Sequence, residues 1–289
     1  MKKRFVLFLV VLVAAGGICA LAHGKQAAAQ QAVTPAQPAA SAAPAKESAG
    51  EQKEATPRPV IGPQADRLLR QMSDYLKAAR QFSFHAEIAY DDLLPSGQKI
   101  QLGASYDALI RRPDRVYAQF QGETGDKRFW YDGKTITLYD SKHHAYGTEE
   151  APPAIDAMLD HLSKVIGFTP PFSDLVYSDP YAVLTRNVHY GFYAGSTQVE
   201  SERCHHLAFQ DKTIDWQIWI EEGTQRVPRK LVITYKTLPG APQFIAVFSR
   251  WDFAAPAPDG VFAADLPADA TRIAFLNMTN KQKKEGAAQ

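Results

Sequence analysis

Cys204, His206 and Asp215 place a thiol, an imidazole and a carboxylate within one stretch, RCHHLAFQDKTIDWQIWIEE (Arg203 to Glu222), where apolar residues alternate on both sides of a turn. With Asp211-Lys212 as a two-residue hairpin loop, Leu207 faces Trp216 and Phe209 faces Ile214, with His205 and Ile218 on that same side. The other side then holds Cys204 opposite Trp219, His206 opposite Gln217 and Ala208 opposite Asp215. A thiolate, an imidazole and a carboxylate on one face could bind a metal or activate the thiol. The simpler reading makes Cys204 and His206 packing residues with a hydrogen-bonded imidazole. A thiol nucleophile also needs an oxyanion hole and a pocket, and an exposed catalytic thiol in an oxidising compartment is prone to oxidation.

Other chemistry-bearing residues are scattered. His143 and His144 are adjacent on an expected strand, where successive side chains point to opposite faces, so the two do not chelate one ion. His85, His161 and His189 stand alone. The chain carries no HExxH, CxxC, Gly-rich phosphate loop or G-x-S-x-G. The pairs Asp91-Asp92, Glu149-Glu150 and Glu221-Glu222 adjoin turn signals and read as solubilising charge. No cofactor is expected.

The opening MKKRFVLFLVVLVAAGGICALAH has the basic start, short apolar core and small residues of a signal peptide, residues 1–22, cut after Ala20-Leu21-Ala22. Its apolar core is shorter than the ~20 residues of a spanning helix. A membrane-tethered N-terminus, uncleaved or acylated at Cys19, is the alternative, with Ile18 arguing against acylation. The destination is the periplasm. Cleavage would leave Cys204 as the lone thiol, so the core must supply stability without a disulfide. Loss of Lys2, Lys3 and Arg4 takes the formal charge from +1 to −2, since 1 − 3 = −2. That near-neutral balance, and aromatics not interleaved with basic residues, exclude a nucleic-acid surface.

Residues 23–61 are rich in Ala, Gln and Pro, with almost nothing large and apolar from His23 to about Pro59, the composition of a disordered linker. Residues 62–276 follow as a single domain, and 277–289 form a polar tail. The domain opens with a helix, because Leu68, Met72, Tyr75, Leu76 and Ala79 make one apolar stripe. Alternation then takes over in FSFHAEIAY and QKIQLGASYDALI, joined around Pro95 and Gly97. RVYAQF follows, and then RFWYDGKTITLYD, where a turn at Asp132-Gly133 pairs Tyr131 with Lys134 and Phe129 with Ile136. A second helix spans about Pro153 to Ile166, ended by Gly167. Beyond it come short helical turns, with Ser178 as an N-cap before Pro180. Strands resume from His189 through HYGFYAG, RCHHLAFQ, TIDWQIWIEE, RKLVITYKT, QFIAVFSRWDF and a last one near RIAFL. Ten or so strands interrupted once by helices predict an α+β, mainly β fold: a large curved antiparallel sheet whose apolar face closes on its own helices.

The runs RRPDRVYAQF, FWYDGKTITLYDSKHHAYGT, PFSDLVYSDPY, CHHLAF, DWQIWIEEGTQRVPRKLVITYKT and SRWDF, between Pro63 and Leu276, resemble an uncharacterised family of predicted periplasmic proteins, a domain of unknown function. More distantly, a strand, YDGKTITLYD, a helix and then WQIWIEE with VPRKLVI is similar to the outer-membrane lipoprotein carrier and its relatives. That resemblance implies an open half-barrel whose concave face, covered by plug helices, takes acyl chains; the relatives also include lipid-binding envelope sensors. No functional residue carries over from it. The residues themselves nominate Phe84, Tyr106, Phe129 and Trp216 on the sheet, with Met158 and Leu162 on a plug helix, as contacts for a hydrophobic small molecule, lipid or lipoprotein. The rival expectations are a metal-dependent or thiol enzyme at Cys204, His206 and Asp215, and an envelope sensor or scaffold that docks a protein partner.

Overall fold

The computed structural model describes residues 60–274. The signal peptide, almost all of the linker and the polar tail lie outside the described residues. Val60 and Ile61, read from sequence as linker, form a short strand, β1.

A single sheet carries the fold. After β1 and a helix, α1 (Pro63–Ala78), six strands meander: β2 (Gln81–Leu93), β3 (Lys99–Arg111), β4 (Arg115–Gly122), β5 (Lys127–Tyr131), β6 (Thr135–Asp140) and β7 (Ala145–Glu150). A helical connection follows, with α2 (Ile155–His161), a π-helical turn (Leu162–Ile166), α3 (Ser173–Val176) and α4 (Pro180–Thr185). A second meander runs through β8 (Tyr190–Val199), β9 (Glu202–Gln210), β10 (Ile214–Glu221), β11 (Pro228–Tyr235) and β12 (Gln243–Asp252). A 3-10 turn (Asp259–Phe262) and β13 (Thr271–Arg272) complete it.

The two meanders join through β12 and β2, giving a curved open sheet in the order β1-β8-β9-β10-β11-β12-β2-β3-β4-β5-β6-β7-β13. β7 therefore ends near one edge of the sheet and β8 begins near the other. The chain between them has to travel from edge to edge, and it does so over the apolar face. Register shifts at Tyr193/Gly195, Trp219/Ile220 and Ser249/Asp252 bend the second half, as bulges increase local twist.

Alternation decides which side is buried. Phe82, Phe84, Ala86, Ile88 and Tyr90 of β2 all face the main core, as do Trp216, Ile218 and Ile220 of β10. That core also contains Leu69, Met72 and Leu76 of α1 and Ile155, Met158 and Leu159 of α2, so the helices cover the concave face. A smaller cluster of Cys204, Trp219 and Val232 lies outside this core.

Several sequence expectations need correction. Both predicted tight turns are displaced, so each hairpin register shifts by two: Tyr131 pairs with Ile136 and Phe129 with Leu138, while Trp216 pairs with Phe209 and Ile218 with Leu207. The cause is an aspartate that closes each turn from outside. Asp132 Oδ1 accepts from the N–H groups of Lys134 (2.9 Å) and Thr135 (2.7 Å), and Asp211 Oδ1 accepts from that of Thr213 (2.7 Å). Such Asx turns move the central pair one residue onward. His143 and His144 lie in a turn rather than on a strand, His144 with φ 48°. The N-cap before Pro180 is Asp179, whose carboxylate accepts from the Ala182 N–H at 3.0 Å.

Candidate functional site

The connection over the concave face is fastened at its start and its end and is irregular in the middle. At its start, the π-helical turn stops at Gly167 in the left-handed region (φ 77°), and the Phe168 N–H reaches back to the Leu162 carbonyl at 3.0 Å. At its end, α4 is tied to α1: the Tyr181 N–H donates to the Ser73 hydroxyl (2.9 Å), and the Tyr181 hydroxyl donates to the Asp66 carboxylate. Arg70 lies 3.7 Å over the Tyr181 ring.

Between these ties runs Phe168-Thr169-Pro170-Pro171-Phe172. Two consecutive prolines donate no hydrogen bonds and bias their predecessors away from the helical region, so this segment crosses the sheet without regular structure. Phe172 has φ 61° and ψ 13°, a left-handed conformation rarely adopted by a bulky side chain. Its ring is buried among Phe84, Tyr106, Phe244 and Phe248, at centroid distances of 5.8, 5.2, 5.8 and 4.8 Å. Burial of that ring, roughly 1.5 to 3 kcal/mol, offsets backbone strain of the order of 1 to 3 kcal/mol.

Two apolar chambers flank this segment. The larger has a floor of Trp216, Leu231, Ile233 and Phe244 and a roof of Leu175, Val183 and Leu184, with a cavity volume of about 80 Å³. The second, about 60 Å³, lies between Tyr106, Phe120, Phe129 and Leu138 of the sheet and Phe168 and Pro170 above. A small hollow of about 20 Å³ beside Phe84 and Leu159 adjoins the second chamber, with which it shares Tyr106, Phe129 and Pro170. Pro171 borders all three.

Polar groups are few but placed. Asp174 of α3 faces the larger chamber, where burial pushes its carboxyl up to about 7 against the opposing pull of Arg186. Tyr235 of β11 lines the same chamber, and its buried hydroxyl has no hydrogen-bond partner among the described residues. Arg186 and Asn187, both exposed, stand at its solvent side. Lys127 and Arg128 border the second chamber.

All six residues nominated as hydrophobic contacts are buried in the one concave core. Trp216 lines the larger chamber, Tyr106 and Phe129 the second, and Phe84 the small hollow beside it. Met158 and Leu162 are fully buried and line neither chamber nor the hollow; their neighbour Leu159 lines the hollow. The reading of sequence missed Asp174, Tyr235, Arg186 and the dividing segment. Tyr235 had a signal, since Leu231, Ile233 and Tyr235 alternate on one strand.

Cys204, His206 and Asp215 are not brought together. Asp215 pairs with Gln210, six residues along β9 from Cys204, which is about 20 Å at strand spacing. Asp215 instead pairs with Lys236 at 2.8 Å. His206 stacks on Trp219 with ring centroids 4.0 Å apart and bonds to Gln217 at 3.0 Å. Burial holds its imidazole below the usual range, with Lys230 acting in the same direction. Cys204 is fully buried, its thiol pushed up to about 11 by desolvation. No group of three metal-ligating side chains occurs among the described residues, and no helix there is long and apolar enough to cross a membrane.

The chain is similar in structure to lipoprotein LppX of Mycobacterium tuberculosis, with 11% identity, a TM-score of 0.36, and coverage of 65% of this chain and 95% of that one. It is also similar to LprF of Mycobacterium bovis, at 12% identity, TM-score 0.38, and coverage of 73% and 99%. A LolA superfamily protein of Nitrosomonas europaea aligns at 9% identity and TM-score 0.30, over 69% and 97% of the two chains. No curated protein matches the sequence. Residues 65–276 match the family described as predicted periplasmic protein (DUF2092), and this chain belongs to that family.

Proposed function

We propose that this protein is a non-enzymatic periplasmic binding or carrier module for a hydrophobic ligand: an acyl chain, lipid or lipoprotein held between the curved sheet and the helical connection. The observation that carries the reading is the pair of apolar chambers on the concave face, separated by a five-residue segment that ends in the strained Phe172. A water molecule takes about 10 to 15 Å³ of cavity volume on this scale. Chambers of about 80 and 60 Å³ therefore hold several waters, not a whole acyl chain. Ligand entry thus requires Pro170 to Phe172 to lift, joining the chambers into one groove.

Magnitudes favour that exchange. Each buried methylene contributes about 0.8 kcal/mol, so a chain of about twelve contributes roughly 10 kcal/mol before the cost of association. Withdrawing the Phe172 ring costs roughly 3 to 5 kcal/mol, and relief of its backbone strain returns part of it. The test is titration with the neutral fluorescent probe N-phenyl-1-naphthylamine, comparing wild type with Leu231→Trp, which fills the larger chamber. Saturable binding that weakens about tenfold in the variant, equivalent to 1.4 kcal/mol, supports the reading. Absence of saturable binding to the folded wild type contradicts it.

A second reading, a protein partner docked at the open edge, is supported by Tyr190 and Phe192. These β8 side chains are 48% and 44% exposed, with their rings 5.8 Å apart, and β1 pairs with β8 only at Tyr190 and Gly191. A photo-crosslinking residue at Phe192 that captures no envelope protein in cells would remove it.

A further inference from the structure

We propose that the larger chamber recognises a hydroxyl group carried on an otherwise apolar chain, with the Tyr235 phenol and the Asp174 carboxyl as its hydrogen-bond partners. This specificity rests on the hydrophobic-ligand reading and refines it. Tyr235 is 9% exposed, and its hydroxyl is sealed from water without a partner among the described residues, whereas buried hydroxyls are ordinarily paired. Asp174 lines the same chamber, close enough for its charge to act on the Tyr235 phenol, and its carboxyl makes no hydrogen bond among the described residues. The other carboxylate of the chamber wall, Asp211, is already engaged by the backbone and side chain of Thr213, at 2.7 and 3.0 Å.

The chemistry of the pair selects the ligand group. A phenol both donates and accepts, and a carboxyl accepts when ionised and can donate when protonated. A ligand hydroxyl, able to donate and accept at once, therefore satisfies both partners in either protonation state of Asp174. A ligand carboxylate has no proton to give, and it is repelled by Asp174 whenever that group is ionised; only Arg186, on the solvent side, opposes the repulsion. A plain alkyl chain leaves both groups unpaired.

The experiment is displacement of N-phenyl-1-naphthylamine from the protein purified from periplasmic extract, using 1-dodecanol and 1-chlorododecane, which are similar in length but differ in hydrogen bonding. The expected result is that 1-dodecanol displaces the probe at a concentration roughly five- to tenfold lower, as one or two net hydrogen bonds allow. Tyr235→Phe should abolish that preference, read as the ratio of the two displacing concentrations so that any change in probe affinity cancels. Asp174→Leu should reduce the preference too, a second route if the first variant folds poorly. Equal displacement by the two compounds, or a preference that survives both substitutions, overturns the assignment while leaving the hydrophobic-ligand reading intact. Failure of wild type to bind the probe at all overturns both.

Discussion

The ring of Phe172 meets that of Phe248 edge-on at 4.8 Å, and it is held there by a backbone in the left-handed region, φ 61°. Phe172 is thus the point at which sheet packing and backbone strain oppose each other, in the segment that divides the two chambers.

This opposition has a measurable signature. In most positions glycine is less stabilising than alanine, but a left-handed backbone reverses the order. Phe172→Gly and Phe172→Ala both lose the ring, and the glycine variant should be the more stable by about 1 kcal/mol. Urea denaturation of the two variants reads this directly. An alanine variant equal to or more stable than the glycine variant would show that the site carries no strain.

Asp174 should make stability depend on pH. Its carboxyl titrates near 3.8 when unfolded and at about 7 when folded, so the folded state binds more protons between those values. Its contribution is therefore most favourable below about pH 4 and is lost as pH rises through 7. Asp174→Asn removes this dependence. At about pH 8 the variant should exceed wild type by on the order of 2 kcal/mol, allowing for water that reaches the chamber, and the gap should close near pH 4. A difference independent of pH would place the carboxyl in contact with solvent.

Cys204 should be inert. With its thiol at about 11 and its side chain fully buried, the thiolate fraction near pH 8 is on the order of 0.1%. Alkylation by iodoacetamide in the native protein should run more than about a hundredfold slower than in urea. Native and unfolded rates within about tenfold of each other would restore the reactive-thiol reading.

How much of this could be read from the sequence follows from what each signal encodes. Alternation has a period of two, so the faces of β5, β6, β9 and β10 were legible although both hairpin registers slipped: a shift of two positions leaves every side chain on its own side. The turn positions are not legible from Asp-Gly and Asp-Lys alone, because an aspartate can stand inside a turn or just before it. In each hairpin the aspartate precedes the central pair and caps it. The slip moved Asp215 two positions further along β9, but the expected register already left it four residues, about 13 Å, from Cys204, so a shared face did not make a cluster. Tyr235 was legible from its alternation with Ile233. Asp174 was not, because α3 is only four residues long, too short for any period to show that its carboxyl faces a chamber. The edge-to-edge path of the connection depends on the pairing of β12 with β2, a long-range contact that no local pattern encodes.

Occupancy of the concave face by a hydrophobic ligand is read by native mass spectrometry of the protein purified from the periplasm without detergent. The expected result is a heterogeneous adduct of lipid mass that solvent extraction releases and that Leu231→Trp diminishes. A homogeneous mass equal to the bare chain, unchanged after incubation with 1-dodecanol, would contradict it.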